Sequence, residues 1–123
     1  MADGKLLARM ATASQPWNVS GLAQAAGIAA LQEQAFLQKT KDLVAVERQW
    51  LKRELEELGF RVCPSSVNYL LFQAPACLYT KLKAKKITIR NCDNYVGLGP
   101  GWYRIAVRLH EENEALIRAI KEV

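Results

Sequence analysis

Three arginines give the first chemical signal in the chain. Arg90 closes the alternating run Ile87-Thr88-Ile89-Arg90, and Arg104 and Arg108 both lie in the stretch Trp102 to Arg108. Between them runs a turn-rich segment, 91–101, containing Gly97, Gly99, Pro100 and Gly101. Successive side chains of an extended strand point to opposite faces, which puts Tyr103, Ile105 and Val107 on one side and Arg104, Ala106 and Arg108 on the other. A guanidinium is planar, permanently charged and able to grip a carboxylate or phosphate with two parallel hydrogen bonds. Two arginines on one strand face, with a third at the end of a neighbouring strand, therefore form a candidate anion site. Solvated charges on edge strands give the same spacing, and spacing names no substrate.

Other reactive side chains are sparse. Cys63, Cys77 and Cys92 are odd in number with no C-x-x-C pair, and the single histidine, His110, has no partner at a metal-ligand interval. Reduced thiols and no metal are expected. Lys81, Lys83, Lys85 and Lys86 cluster on one amphipathic segment and read as a solvated face.

The elements that must position the arginines follow from periodicity. Leu6 to Met10 is a short apolar helix candidate, and Pro16-Trp17-Asn18-Val19-Ser20 offers turn and N-cap residues before the small-residue helix Gly21 to Leu31. The Ala and Gly content of that helix allows close approach to another surface. From Gln38 to Leu58, apolar Val44, Leu51, Leu55 and Leu58, flanked by Leu43 and Trp50, recur at helical spacing, and Gly59 stands where a left-handed cap ends the helix. Phe60 to Cys63 is extended, and a second strand, Val67 to Gln73, has the near-continuous apolar run of a strand central in its sheet or covered on both faces. Pro75 opens a helix through Lys86, Ile87 to Arg90 reads as a third strand, and Trp102 to Arg108 as a fourth. The last helix, Glu111 to Val123, opens with acidic residues and buries Leu116, Ile117 and Ile120. The sum is an α+β fold, a small mostly antiparallel sheet of four strands covered by helices.

Composition sets the bounds. The 123 residues are 50% apolar and 24% charged, enough for a core and unlike a disordered or disulfide-stapled chain. The longest apolar stretch, near Leu22 to Leu31, falls far short of the roughly 20 residues that span a membrane, and the start lacks the apolar core of a secretory signal. A cytoplasmic address with no membrane partner is expected. The net charge of +5 permits nucleic acid, and a basic module built on Lys81 to Lys86 and Arg90 is the reading from another function class. That cluster has no interleaved aromatic residues, so no nucleic-acid partner is expected. A structural or regulatory domain without catalysis is a third reading.

The residues also carry a family resemblance. Pro64-Ser65-Ser66-Val67-Asn68-Tyr69-Leu70-Leu71, Ile87-Thr88-Ile89-Arg90, Tyr103-Arg104-Ile105-Ala106-Val107-Arg108 and Glu112-Asn113 resemble the C-terminal small domain of pyridoxal-phosphate enzymes of the aspartate-aminotransferase fold (fold type I, class I/II). Pro16-Trp17-Asn18-Val19-Ser20 is similar to the segment that starts the linking helix in the histidinol-phosphate aminotransferase branch. The run Arg90-Asn91-Cys92-Asp93-Asn94-Tyr95-Val96-Gly97-Leu98-Gly99, with the ending Arg104 to Arg108, is similar to the threonine-phosphate decarboxylase branch of cobalamin synthesis. Aminotransferases of the first branch usually carry glycine where Arg108 stands. The resemblance runs from about residue 5 to the end, and covers only about the last third of such an enzyme.

The resemblance implies a division into an arm and linking helix, 1–37, and a C-terminal small α/β domain, 38–123, with the large cofactor domain absent from this sequence. It implies that Arg104 holds the substrate α-carboxylate, that Arg90 contacts the substrate phosphate, and that Asn68 lines the same cleft. A buried amide satisfying backbone groups is the structural alternative for Asn68. Arg108 either adds a charge for a doubly anionic substrate or pairs with Glu111 or Glu112. Pyridoxal phosphate is expected in the full-length enzyme and not on this chain alone, because the sequence shows no context for the Schiff-base lysine, the carboxylate facing the pyridine nitrogen or the phosphate cup. The chain by itself is expected to be inactive. Its partners would be a phosphorylated amino-acid substrate, the large domain of the same chain and a second subunit in a homodimer. The expected reaction is decarboxylation of L-threonine O-3-phosphate, with amino transfer from histidinol phosphate as the alternative.

Overall fold

Two apolar runs with a two-residue period pair to make the centre of a sheet. The computed structural model describes residues 3–14 and 19–123, so Pro16, Trp17 and Asn18 of the expected linking segment lie outside the described residues. Four strands, β1 (Arg61–Val62), β2 (Tyr69–Gln73), β3 (Arg90–Asn91) and β4 (Trp102–Ala106), form one antiparallel sheet in the order β1-β2-β4-β3. β2 and β4 are central, with Leu70 opposite Ile105 and Phe72 opposite Tyr103 on the buried face. On the other face Leu71 stands opposite Arg104 and Tyr69 opposite Ala106. The apolar run in β2 therefore marks a central strand with one buried face.

The chain divides into two compact units, 1–37 and 38–123. In the first, Asp3 caps helix α1 (Gly4–Ala13) and Ser20 caps helix α2 (Gly21–Gln32), their side-chain oxygens accepting from Lys5 N at 3.0 Å and Ala23 N at 3.2 Å. Neither helix contains a buried residue. Helix α3 (Gln34–Glu57) begins ahead of the expected Gln38 and continues into the second unit.

In the second unit the sheet's buried face packs with α3, α4 (Leu78–Ala84) and α5 (His110–Lys121) through Leu51, Leu55, Leu78, Leu82, Ile117 and Ile120. Phe72 anchors this core, with Phe60 stacked on it and Tyr103 tilted against it, each at 5.9 Å between ring centroids. Gly59 ends α3 as expected, at φ 80°. Its own N–H reaches Glu56 O, at 2.9 Å, and that of Phe60 reaches Leu55 O, at 3.1 Å. On α5 the expected Leu116 is only partly buried, whereas Asn113 and Ala119 are buried.

The third strand is shorter and later than Ile87 to Arg90. Ile87 N donates to Leu82 O at 3.0 Å, closing the end of α4, so its amide is not free for the sheet. Pairing starts at Arg90, opposite Arg104, and Cys92 N extends it by donating to Trp102 O at 2.9 Å.

Both ends of β4 are tied down. At its start, Gly101 accepts from Ala74 N at 2.9 Å, and the Tyr103 hydroxyl lies 2.9 Å from Ala76 O and 3.1 Å from Pro75 O. Burial pushes the Tyr103 phenol above its usual range. Beyond its end, Asn113 accepts from Arg108 N at 3.1 Å and donates to Arg108 O at 2.9 Å. The same amide donates to Glu47 on α3 at 2.9 Å, and His110 Nδ1 is 3.1 Å from both oxygens of that buried carboxylate.

Gly101 has no substitute among L-residues. Its φ is +90°, and a Cβ there would sit 2.6 Å from the Ala74 carbonyl oxygen. Gly101→Ala is expected to lower stability by about 2 kcal/mol or more, read as a drop in thermal unfolding midpoint. An unchanged midpoint would mean that the Ala74–Gly101 approach is not as close as described.

Candidate functional site

The site begins on the sheet face opposite the helical core, where Arg90 and Arg104 stand, and extends to residues of α5. Strand alternation sends Tyr103, Ile105 and Val107 inward and leaves Arg104 half-buried on the opposite side. Its guanidinium carbon lies 4.9 Å from the ring centroid of Tyr69 on the neighbouring strand, and Arg90 lies similarly over Tyr95 at 5.7 Å. Arg90 and Arg104 are register partners on adjacent strands. Like charges placed directly opposite destabilise a sheet. Neither arginine has a carboxylate within ion-pair distance among the described residues, and the nearby Asp93 accepts from Asn91 at 2.9 Å. The pair is an uncompensated positive site.

These arginines border an open cleft of about 730 Å³. All four residues singled out from sequence, Arg104, Arg90, Arg108 and Asn68, line it. The cleft also takes in Lys86, so four cations face it against the single carboxylate of Glu112. Arg108 pairs with that carboxylate at 2.7 Å, and both side chains are largely exposed, so the bond is weak and exchangeable. Asn68 is exposed, which rules out a buried amide there, and its backbone carbonyl accepts from Val107 N at 2.8 Å. Asn113 is the buried amide that satisfies backbone groups here.

The sequence does not single out Tyr69, Lys86 or Asn113 as contributors to this cleft, whereas Glu112 is one of the two partners it offers for Arg108 and is the one used. Tyr69 is signalled only by strand register, and Asn113 only by its spacing from Arg108. Lys86 is one of four lysines between residues 81 and 86, which spacing does not tell apart. Among the described residues no group of three or more His, Cys, Asp or Glu side chains is placed to hold a metal, and no helix is long and apolar enough to cross a membrane.

Residues 1–120 match the family Aminotransferase class I and II. The chain belongs to that family. It is 36% identical over 126 residues to the threonine-phosphate decarboxylase of Salmonella typhimurium, covering 99% of this chain and 35% of that protein. It is also 36% identical over 127 residues to histidinol-phosphate aminotransferase 2 of Ralstonia nicotianae, covering 98% of this chain and 33% of that one. Its fold superposes on the histidinol-phosphate aminotransferase of Clostridium acetobutylicum with a TM-score of 0.78 at 27% identity, covering 96% of this chain and 37% of that structure. The chain thus spans about a third of the length of the curated relatives it matches. The α+β sheet-and-helix fold is that of the aminotransferase relatives.

The unrelieved Arg90–Arg104 pair makes a prediction independent of any reaction. Inorganic phosphate at about ten times its dissociation constant is expected to stabilise the protein by about 1.4 kcal/mol, and added chloride should weaken the effect. Arg104→Ala should remove most of it. Equal stabilisation of the variant in thermal unfolding would place the anion elsewhere.

Proposed function

We propose that this chain is the substrate-binding small domain of a pyridoxal-phosphate-dependent class I/II enzyme acting on L-threonine O-3-phosphate as a decarboxylase, in a cytoplasmic homodimer. In this reading residues 38–123 are the C-terminal small domain and 1–37 the arm and linking helix that lead from a large cofactor domain. Arg104 grips the α-carboxylate, Arg90 the phosphate, Asn68 offers its free amide from the cleft wall, and Arg108 leaves Glu112 to add charge where the substrate needs it.

The observation that carries the reading is the pairing of Arg90 with Arg104 across adjacent strands, without a carboxylate partner among the described residues. A substrate bearing both a carboxylate and a phosphate neutralises two such cations at once, whereas histidinol phosphate carries only the phosphate. The relative from Salmonella typhimurium supports the decarboxylase, and the relative from Ralstonia nicotianae supports amino transfer as the second reading.

The chain's own residues do not fit the cofactor. Glu112, the one carboxylate lining the cleft, is engaged with Arg108, and Lys86 is the one lysine there, at the cleft wall beside the other cations. Holding the cofactor is therefore assigned to the portion of the enzyme outside this sequence. What this chain contributes is placement of the substrate's anions, and through them the choice of bond presented at Cα. Misplacement by about 1 Å costs roughly 100-fold in rate, so the arginine geometry bears directly on the choice between decarboxylation and amino transfer.

In the full-length protein loaded with pyridoxal phosphate, carbon dioxide release from O-phospho-L-threonine is expected, with kcat/KM falling about 100-fold or more in Arg104→Ala. Amino transfer from histidinol phosphate to 2-oxoglutarate, with no carbon dioxide released, would move the function to the second reading.

A further inference from the structure

We propose that Lys86 is a specificity-determining residue of the cleft, its ammonium joining Arg90 to hold the distal phosphate monoester of a doubly anionic substrate. This deepens the functional reading above and rests on it.

The first observation is conformational. The end of α4 closes through Lys86 N to Lys83 O and Ile87 N to Leu82 O, each at 3.0 Å, a pattern that requires a left-handed residue between them. Lys86 occupies that position at φ 62°, and among the described residues it is the sole non-glycine with positive φ. Glycine meets this requirement without strain, and a side chain here is retained at a cost to folding. Strain of this kind is a pointer to function when the side chain reaches a site.

The second observation is the fate of the neighbouring lysines. Lys81 donates to the Val123 carbonyl oxygen, Lys83 lies 5.8 Å from the Tyr79 ring centroid, and Lys85 pairs with Glu122 at 2.5 Å. That last pairing holds the Glu122 carboxyl below its usual range. Lys86 has no hydrogen-bond, ion-pair or ring partner among the described residues, and of the four it is the one that lines the cleft with Arg90 and Arg104.

The third is charge balance. A phosphate monoester carries about −1.5 to −2 near neutral pH, more than one guanidinium neutralises. With Arg104 committed to a carboxylate and the charge of Arg108 shared with Glu112, Lys86 is the cleft cation that can join Arg90 on the phosphate without giving up an anionic partner. Between it and Arg90 the segment sends Ile89 into the core and leaves Thr88 exposed on the cleft wall. Lys86 thus sets selectivity for a phosphorylated over an unphosphorylated amino acid.

The test is Lys86→Gly in the full-length protein, with calorimetric binding of O-phospho-L-threonine and of L-threonine, and thermal unfolding without ligand. The expected result is a midpoint raised by about 1 °C, about tenfold weaker binding of O-phospho-L-threonine, and L-threonine binding unchanged. Lys86→Arg should retain the preference for the phosphorylated ligand. Unchanged affinity for O-phospho-L-threonine, or an equal loss for both ligands, overturns the proposal. Arg104→Ala separates the two levels: if it abolishes binding while Lys86→Gly does not alter it, the site stands and Lys86 has no part in it. If the unsubstituted protein binds neither ligand, or Arg104→Ala changes nothing, the site reading fails and this proposal with it.

Discussion

Strand β4 allows only one arrangement of its side chains. With a two-residue period, burying Tyr103, Ile105 and Val107 forces Arg104 to the opposite face, beside Tyr69 and across from Arg90. A slip of one residue would put guanidinium groups into the core that Leu51, Leu55, Phe72 and Ile120 now fill, at a desolvation cost no partner there offsets. Gly101 sets where the strand begins, because only a residue without a Cβ passes the Ala74 carbonyl. The glycine that fixes the fold therefore also fixes which face carries the charge.

The far end of β4 is held by a different device. Glu47 is a buried carboxylate, expensive unless satisfied, and Asn113 and His110 satisfy it from α5. The same Asn113 side chain brackets the Arg108 backbone on both its N–H and C=O. Backbone position is thereby separated from side-chain freedom: the Arg108 main chain is fixed to α5, while its guanidinium rests on an exposed carboxylate it can leave. The cleft combines two cations set against tyrosine rings, Arg90 and Arg104, with Lys86 and the exchangeable Arg108.

Much of this was legible in the residues. The alternation in Trp102 to Arg108 gave the inward and outward sets, Gly59 marked the end of α3, and the apolar run at Tyr69 to Phe72 marked a central strand. The four site residues that sequence brought forward do line one cleft. What was not legible depends on contacts between segments distant in sequence. Ile87 looked like strand, but its amide is used by α4. Asn68 and Asn113 are both polar residues beside apolar runs, and only the packing of α5 on α3 shows which of them is buried. Lys86 is one of several lysines in a row, and its left-handed backbone, invisible to periodicity, is what distinguishes it.

In the proposed function Arg90 and Arg104 act together as the seat of a doubly anionic ligand. The most direct measurement of this is the side-chain Nε–Hε resonances of the arginines during titration with O-phospho-L-threonine. The Arg90 and Arg104 signals are expected to shift together and saturate at one ligand per chain, with Arg108 moving as its bond to Glu112 exchanges. Signals of Arg90 and Arg104 that stay fixed while other arginines respond would contradict it.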